Sequence, residues 1–301
     1  MPVGRAKRER EDSSGCRGSG LELTSPGFLS RIGADPGLPE YLLSPQDSPN
    51  LELSRLRLLQ EFHDPLTVAQ LDAIGVGEGW RCLDVGAGGG SVTRMLAERV
   101  GRNGSVVAVD VDTSLLDGLV SDRIEVRRHD LLSDPLPSDA FDLVHARLLL
   151  MHLPSRLEAL RRLAAAARPG GWVAAIDPDF TTVALSPANQ VWERTWSVFC
   201  DALVAGGWDP RYGARLCGDL RSAGLVDVEA NYVSSCGAGG SLVVRVLSLT
   251  LERLRERMVA LGAASEEIDE ARGLLEDPAN TISSPTTCVA YARRAIGGLP
   301  R

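Results

Sequence analysis

The sequence predicts an α/β fold in which helices cover both faces of a doubly wound, mostly parallel β-sheet. Three observations point to this fold. Between residues 80 and 180, short apolar runs alternate with amphipathic segments of helical length, which is the pattern of repeated βαβ units. A glycine-rich turn separates the first apolar run from the helix after it. Acidic residues follow the ends of several runs, where ligands bind in sheets of this class.

A run of glycines joins the first predicted strand to its helix. Residues 80–85 form a short buried strand, residues 86–90 form the turn, and Ser91 opens the helix. The apolar side of this helix consists of Val92, Met95, Leu96 and Val100. Glycines at this point let a ligand lie against bare backbone, next to the positively polarised N-terminus of a helix.

The second predicted strand, residues 105–109, leads directly to an acid. Asp110 stands about 20 residues beyond the glycines, where nucleotide-binding α/β sheets hold a ribose diol. This spacing predicts a cofactor of the adenosine type. The fingerprint of a dinucleotide-binding oxidoreductase is Gly-x-Gly-x-x-Gly or Ala, and counting from Gly86 places Ser91 at the position of the third glycine. The glycine spacing therefore disfavours a nicotinamide cofactor.

Three further strands extend the pattern. They are predicted over residues 124–126, 140–147 and 172–176. Ser155 begins an amphipathic helix between the last two, and the run Pro169-Gly170-Gly171 ends it. Because the ligands of parallel sheets bind beyond the carboxyl ends of the strands, we expect the site at the loops that follow these strands.

The pattern Asp84-x-Gly86-x-Gly88-x-Gly90, with Asp110 at the end of the next strand, resembles the class I S-adenosylmethionine-dependent methyltransferase family. The resemblance implies a seven-stranded, Rossmann-like methyltransferase fold and S-adenosyl-L-methionine as cofactor. In this family an acid at the position of Asp130 accepts the adenine amino group. The cofactor-binding residues that the resemblance implies are Asp84, Gly86, Ala87, Gly88, Gly90, Asp110, Val111, Asp130, Leu131 and Arg147.

A second stretch shows a more specific resemblance to one group within this family. Residues 147–154 and the later run 168–171 are similar to the broad group that includes quinone C-methyltransferases, and the chain resembles small-molecule methyltransferases of actinobacterial type. The extra N-terminal and helical segments depart from the compact type of that group. The quinone substrate is therefore not carried over to this chain.

The chain divides into four predicted parts. Residues 1–38 are rich in Gly, Ser, Pro and Arg without a period, and we expect a disordered leader. Residues 39–78 form an N-terminal helical cap, and residues 79–180 form the cofactor-binding core. Residues 181–301 complete the sheet and carry helical insertions that cap the substrate side.

Outside the core, apolar periodicity predicts mainly helices. Two are expected in the N-terminal cap, over residues 52–62 and 65–74. The stretches 187–222 and 242–277 are predicted to be the helical insertions. Residues 286–292 alternate in polarity and form the last strand, which in the family runs antiparallel beside the fifth.

In methyl transfer from a sulfonium, the main roles of the protein are to position the acceptor and to exclude water. A hydroxyl, phenol or acidic carbon acceptor also benefits from a general base. His152, just past the fourth strand, is the best candidate for that base, and packing without chemistry is the alternative. Asp177 and Asp179 are predicted either to orient the acceptor or to cap the strand end. An aromatic stripe at helical spacing is formed by Trp192, Trp196 and Phe199. We expect this stripe to pack in the core rather than to form a wall of the substrate site.

Composition excludes several classes of protein. The net charge of −8 is spread along the chain, which argues against a nucleic-acid binder. The six cysteines include no C-x-x-C pair, so neither a zinc site nor a disulfide framework is expected. No apolar run is long enough to cross a bilayer, and no apolar stretch of a secretory signal follows the basic start. We expect a cytoplasmic protein without a membrane partner.

Taken together, the sequence predicts an S-adenosylmethionine-dependent methyltransferase with a small-molecule acceptor, in specialised metabolism. Two alternatives stay open. One is an NAD(P)-dependent oxidoreductase, and the other is a methyltransferase-fold protein that binds the cofactor without transferring methyl. The sequence also leaves open whether the chain forms a homodimer, and whether oxygen, nitrogen or carbon accepts the methyl group.

Overall fold

The computed structural model describes residues 49–297. The predicted disordered leader, residues 1–38, lies outside the described residues. From its N-terminal end the described chain alternates helices and strands. They are α1 (Pro49–Ile74), β1 (Arg81–Val85), α2 (Ser91–Val100), β2 (Ser105–Asp110), β3 (Ile124–Arg128), β4 (Phe141–Arg147), α3 (Arg156–Ala166) and β5 (Ala167–Asp179).

The remaining elements combine helices with short and long strands. They are β6 (Leu185–Ser186), α4 (Gln190–Ala205), α5 (Tyr212–Ser222), β7 (Leu225–Val233), β8 (Cys236–Ala238), α6 (Leu242–Ala260), α7 (Ser265–Glu276), β9 (Thr281–Ser283) and β10 (Thr286–Arg294). Within residues 49–297, no helix combines the length and the apolar character needed to span a bilayer.

Seven strands form the main sheet in the order β3-β2-β1-β4-β5-β10-β7. The first five are parallel to one another, and β10 is antiparallel to both β5 and β7. The doubly wound sheet and the antiparallel last strand are as the sequence predicts. The chain order reverses between β1 and β4, so a crevice forms there at the carboxyl ends of the strands.

Helices cover both faces of this sheet. α1 and α2 pack on one face, where Leu71 and Leu96 are fully buried against Leu143. α3 and α5 pack on the other, where Leu160 and Leu216 belong to the larger core. The parallel strands are apolar on both sides because both faces are buried, which is why they read as continuous apolar runs.

α1 is one helix where the sequence predicts two. It continues through Pro65, although proline removes one backbone hydrogen bond from a helix interior. Leu58 before it and Leu71 after it are both buried, so packing on each side of the proline holds the helix together. Val68, on the second part of the helix, is 37% exposed.

β5 begins at Ala167, earlier than the predicted start at residue 172. The run Pro169-Gly170-Gly171, predicted to be a loop, therefore lies within the strand. A register shift against β4 accommodates it, between Phe141 and Leu143. Gly170 takes a φ of 76°, which glycine adopts at little cost and which explains why the bulge forms there.

The second half of the chain covers the carboxyl edge of the sheet. α4, α6 and α7 pack on one another, and α6 also packs along α1. A small antiparallel sheet, in the order β6-β9-β8, lies beside α6, and the sequence analysis does not predict it. Its strands have two or three residues each, too few for a period of two to be recognised.

A chain of buried polar groups fastens α1 to the sheet. The Gln70 amide donates to the carbonyl of Ala290 at 2.8 Å, and its oxygen lies 3.2 Å from Nε2 of His145. Nδ1 of His145 lies 3.6 Å from the carboxylate of Asp84, which accepts a 2.6 Å bond from the Thr93 hydroxyl. These contacts join α1, β10, β4, β1 and α2 across one face.

A second polar junction lies at the end of β4. The guanidinium of Arg147 donates to Asp64 at 2.8 Å and to Thr67 at 2.9 Å, both on α1. It also donates to the hydroxyl of Ser91, the first residue of α2, at 2.7 Å. Ser91 in turn donates to Asp64 at 2.9 Å. We call these four residues the Arg147 junction.

The carboxyl of Asp177 supports the turn that follows β4. It is fully buried at the end of β5, and its Oδ1 accepts from the backbone N–H of Met151 at 3.4 Å. The Met151 carbonyl accepts from the Asp209 N–H at 2.9 Å and from Arg156 at 3.1 Å. Burial raises the pKa of Asp177 to about 8, so the protonated acid is the form that this site favours.

We expect replacement of Asp64 by alanine to destabilise the protein by about 1–3 kcal/mol, because Arg147 and Ser91 lose their shared acceptor. Asp72→Ala is the matched control, since Asp72 lies on the same helix and also pairs with an arginine, Arg99, but is 65% exposed. That pair should contribute about 1 kcal/mol or less. Urea unfolding of both variants measures the difference, and equal losses would contradict the importance of the Arg147 junction.

Asp177 should make stability depend on pH. Because its pKa is raised on folding, its contribution is complete below pH 4 and is lost as the pH rises toward about 8. At about 1.4 kcal/mol per pKa unit, the loss between pH 5 and pH 8 is on the order of a few kcal/mol. Asp177→Asn should remove this slope in the unfolding free energy, whereas Asp122→Asn, at an exposed position, should keep it. An unchanged slope in Asp177→Asn would show that the acid ionises freely.

Candidate functional site

A cavity of about 200 Å³ opens at the carboxyl ends of β1, β2 and β4. α1, α4 and α6 close it from the other side. Most of the site residues that the sequence predicts line it, namely Asp84, Gly86, Ala87, Gly88, Asp110, Val111, Asp130, Leu131, Arg147 and His152. Gly90 does not line the cavity; a Cβ there would lie 2.3 Å from a methyl of Leu119, so this glycine serves close packing.

The glycine turn is tied to the tip of β2. The N–H groups of Gly86 and Ala87 donate to the Val109 carbonyl at 2.9 and 3.2 Å. Gly88, with a φ of 52°, donates its N–H to the carboxylate of Asp110 at 2.8 Å. The left-handed conformation of Gly88 is favourable for glycine and turns its N–H toward the acid.

Asp110 is partly buried, and its two oxygens have different partners. Oδ2 accepts from Gly88, and Oδ1 accepts from the N–H of Asp112 at 3.1 Å. Burial raises the pKa of Asp110, and these two backbone N–H groups oppose that rise because they stabilise the charged form. Each carboxylate oxygen can accept a further bond, so the acid is able to bind a pair of hydroxyls.

Asp84 lines the cavity, but its carboxylate is directed to the protein. Its side chain is 2% exposed and accepts from Thr93, with His145 on its other oxygen. His145 is itself fully buried within the sheet, as its position in a strand predicts. The contacts of Asp84 therefore join β1 to α2 at the start of the glycine turn.

The acid after β3 holds its own loop. Oδ1 of Asp130 accepts from the N–H of Leu132 at 2.9 Å, and Oδ2 accepts from the Ser133 hydroxyl at 3.0 Å. His129 lines the cavity beside it, and burial lowers the pKa of that imidazole. Val111, 47% exposed, offers apolar surface next to these polar groups.

A strained residue begins the turn after β4. Leu148 has a φ of 53°, which is uncommon for a bulky side chain, and it lines the cavity. Four residues later, the His152 ring packs edge-on against Trp208, with ring centroids 3.6 Å apart. Burial and the nearby charge of Arg55 lower the pKa of His152 to about 3. His152 is therefore neutral at physiological pH and a weak base.

One more histidine lines the cavity, and it is not among the predicted site residues. His63, on α1, is buried and donates from Nδ1 to the Leu59 carbonyl at 2.8 Å. Burial and the charge of Arg147 lower its pKa to about 4. Its Nε2 thus carries a lone pair, and the ring is neutral.

The far end of the cavity is apolar. Three elements and a loop supply its walls: Leu56, Leu59 and Phe62 from α1, Phe199 and Leu203 from α4, Val243, Val246, Leu247 and Leu254 from α6, and Trp208. The Thr250 hydroxyl also lies there, but it donates to the Val246 carbonyl at 2.7 Å. A ligand at this end meets mainly hydrocarbon and aromatic surface.

Two other predictions concern the acceptor side: the two acids at the end of β5, and the aromatic stripe of α4. Neither Asp177 nor Asp179 is among the cavity residues; Asp179 caps a short turn by accepting from Thr181 at 2.9 Å. The aromatic stripe packs in the core, where Trp192 stacks on Trp196 with centroids 5.1 Å apart. From this stripe Phe199 reaches the cavity.

Sequence reasoning misses the contribution of α1. Arg55, Gln60 and His63 line the cavity, and Asp64 anchors Arg147. The role of Asp64 depends on a contact with a distant strand, and apolar periodicity in α1 identifies the apolar face of the helix and not its polar one. The signal in the sequence is Asp64 itself, an acid directly before the proline within α1.

Comparisons with known proteins point to methyltransferases for the central part of the chain. The model of the methyltransferase domain family matches residues 83–175, which extend from β1 into β5. A ubiquinone/menaquinone biosynthesis C-methyltransferase of Hahella chejuensis is 28% identical over 137 residues, 43% of this chain and 53% of the relative. Methyltransferase str3 of Strobilurus tenacellus is 29% identical over 157 residues, 51% of this chain and 56% of the relative. The chain thus spans about half the length of the curated relatives it matches.

A solved structure supports the fold. The YcgJ protein of Bacillus subtilis superposes with a TM-score of 0.53 at 16% identity, over 77% of this chain and 99% of that one. At this identity the likeness bears on the fold alone. The part of the chain from β1 into β5, residues 83–175, which includes the glycine turn, thus matches a methyltransferase domain.

Proposed function

We propose that this protein transfers a methyl group from S-adenosylmethionine to a small, largely apolar acceptor. One observation carries the proposal: a single cavity extends from the glycine turn and Asp110 to an apolar end under α1, α4 and α6. The first end has the backbone and carboxylate groups that suit a nucleoside, and the second has room for a hydrophobic molecule.

The residues present fit an adenosine-containing cofactor. The glycine turn exposes backbone without side chains, and Asp110 keeps acceptor capacity for two ribose hydroxyls. Val111 and Leu131 offer apolar surface for a base, with Asp130 beside them. In our proposal these residues hold the nucleoside. When bound, S-adenosylmethionine supplies an activated methyl group on a sulfonium.

Arg147 contributes through the elements that it joins. It lies at the end of β4 and lines the cavity, but its three bonds go to Asp64, Thr67 and Ser91. We infer that it keeps α1 closed over the glycine turn. A closed α1 excludes water from the reacting groups, which favours an in-line displacement between two reactants held in place.

The role of His152 as a general base stays a prediction. It lines the cavity and is neutral, as a base must be, but a pKa of about 3 leaves it little basicity. We infer that deprotonation of the acceptor depends mainly on the acidity of the acceptor itself. This favours phenols, enols and other acidic groups over aliphatic alcohols.

The proposed acceptor class agrees with two kinds of relative. One matched protein is a C-methyltransferase of ubiquinone and menaquinone biosynthesis, and others are Strobilurus methyltransferases. The apolar end of the cavity suits a hydrophobic ring or chain. We extend the proposal to a role in specialised metabolism, with the acceptor atom left to experiment.

Calorimetric titration of the purified protein tests the cofactor directly. S-adenosylmethionine and S-adenosylhomocysteine should bind with dissociation constants in the micromolar range, a free energy of about −8 kcal/mol. NAD and NADP serve as controls and should not bind. Binding of a nicotinamide cofactor alone would overturn the proposal in favour of an oxidoreductase. Binding of S-adenosylmethionine without transfer to any acceptor in a labelled-methyl screen would favour a non-transferring protein.

Asp110→Ala should weaken binding of S-adenosylhomocysteine by more than tenfold, because the ribose hydroxyls lose their charged acceptor. Asp122→Ala, which replaces an exposed acid shortly before β3, should leave the affinity unchanged. Asp110 also accepts from Gly88, so thermal unfolding must be measured alongside. Unchanged affinity in a folded Asp110→Ala variant would remove this residue from the site.

A further inference from the structure

Four polar side chains follow one face of α1 at a spacing of three or four residues. They are Gln60, His63, Thr67 and Gln70, and we call them the polar stripe. The two toward the C-terminal end of the helix have protein partners. Thr67 accepts from Arg147 at 2.9 Å, and Gln70 donates to a carbonyl of β10 at 2.8 Å. The other two, Gln60 and His63, line the cavity.

His63 presents an unpaired nitrogen to this cavity. Its side chain is buried, and Nδ1 donates to the Leu59 carbonyl at 2.8 Å. Within residues 49–297 its Nε2 has no hydrogen-bond partner, and it is not among the fully enclosed polar atoms. Since Nδ1 carries the proton, Nε2 can only accept. Buried side chains are rarely left with an unpaired acceptor, so the position of Nε2 indicates a ligand with a donor group.

The amide of Gln60 lies directly on the glycine turn. A Cβ on Gly89 would lie 2.2 Å from Nε2 of Gln60, so the absence of a side chain at Gly89 lets the amide approach. No other residue of the described chain forms a hydrogen bond with this amide, which has both a donor and an acceptor. Gln60 therefore adds polar capacity from α1 to the backbone groups of the turn.

The order of the strands indicates which part of a ligand reaches the polar stripe. The nucleoside groups of the proposed cofactor site, Asp110 and Asp130, lie at the ends of β2 and β3. β1 and then β4 follow across the sheet, so the remainder of the cofactor extends over the glycine turn toward β4. α1 covers this side, because Asp64, the residue after His63, bonds to Arg147 at the end of β4.

We propose that Gln60 and His63 bind the amino-acid end of S-adenosylmethionine. In this arrangement the Gln60 amide donates to the carboxylate, and Nε2 of His63 accepts from the ammonium group. The inference rests on the proposed function and adds to it a binding site for the part of the cofactor beyond the nucleoside. It also gives α1 a direct contact with the cofactor, in addition to its contacts with the sheet.

Neutral side chains suit this end of the cofactor. A carboxylate and an ammonium group together carry no net charge, so they need a donor and an acceptor but no opposing protein charge. The nearby charged groups already have protein partners. Arg147 donates to Asp64, and the carboxylate of Asp84 accepts from Thr93. The unpaired groups of the polar stripe are thus the ones available for the ligand.

Two ligands that differ only at this end test the assignment by calorimetry. S-adenosylhomocysteine has the amino-acid end, and methylthioadenosine has the same nucleoside and sulfur without it. The wild-type protein should bind S-adenosylhomocysteine at least about tenfold more tightly, because hydrogen bonds to charged groups are the stronger ones. Methylthioadenosine also reports whether the nucleoside site of each variant is intact.

Three substitutions separate the contributions of the two side chains. Gln60→Met keeps the length of the side chain and removes the amide. His63→Asn keeps a donor near Nδ1 and removes Nε2, whereas His63→Gln keeps a polar atom near Nε2. Gln60→Met and His63→Asn should each weaken binding of S-adenosylhomocysteine by about tenfold and leave methylthioadenosine within about twofold. His63→Gln should retain most of the affinity for both ligands.

Glu61→Met is the matched control, because Glu61 lies between the two residues and is exposed. It should bind both ligands like the wild type. Failure of the wild type to bind S-adenosylhomocysteine would contradict the proposed function itself. Normal cofactor binding with equal affinities of the wild type for the two ligands would overturn the role of the polar stripe alone. Wild-type affinity for S-adenosylhomocysteine in Gln60→Met and His63→Asn, or equal losses for both ligands, would also overturn it.

Discussion

The Arg147 junction is the contact on which the site depends most. One guanidinium at the end of β4 donates to Asp64 and Thr67 of α1 and to Ser91, where α2 begins. Arg147 is only 10% exposed, so these charge-assisted bonds are shielded from solvent. The junction fixes the distance between the N-terminal helix and the glycine turn, and the cavity is the space between them.

The sheet determines what each end of that space can do. Parallel strands bring their carboxyl ends to one edge, so Asp84 in β1, Asp110 at the end of β2 and Asp130 after β3 lie at that edge although they are far apart in sequence. Backbone N–H groups of the glycine turn meet Asp110 at the same edge. The helices outside the core, α1, α4 and α6, supply apolar walls instead. The contrast between a polar end and an apolar end follows from this division between sheet and inserted helices.

Sequence reasoning is most successful where local pattern and structure agree. β1, the glycine turn, α2 and β2 follow from apolar periodicity and from residues that only a tight turn requires, such as Gly88 at a φ of 52°. The antiparallel last strand follows from the family resemblance. These features depend on residues close together in sequence, which a pattern can reveal.

The remaining features depend on contacts between distant segments. α1 continues through Pro65 because residues on both sides of the proline are buried, which no local propensity predicts. The role of Asp64 depends on a partner 83 residues away. The weak basicity of His152 likewise comes from its burial against Trp208 and not from its position after a strand.

The most direct measurement is a crystal structure of the full chain with S-adenosylhomocysteine. We predict ribose hydroxyls within about 3 Å of the Asp110 carboxylate, the adenine between Val111 and Asp130, and the sulfur directed to the apolar end of the cavity. A nucleoside bound away from the glycine turn, or with its sulfur directed away from the apolar end, would contradict it.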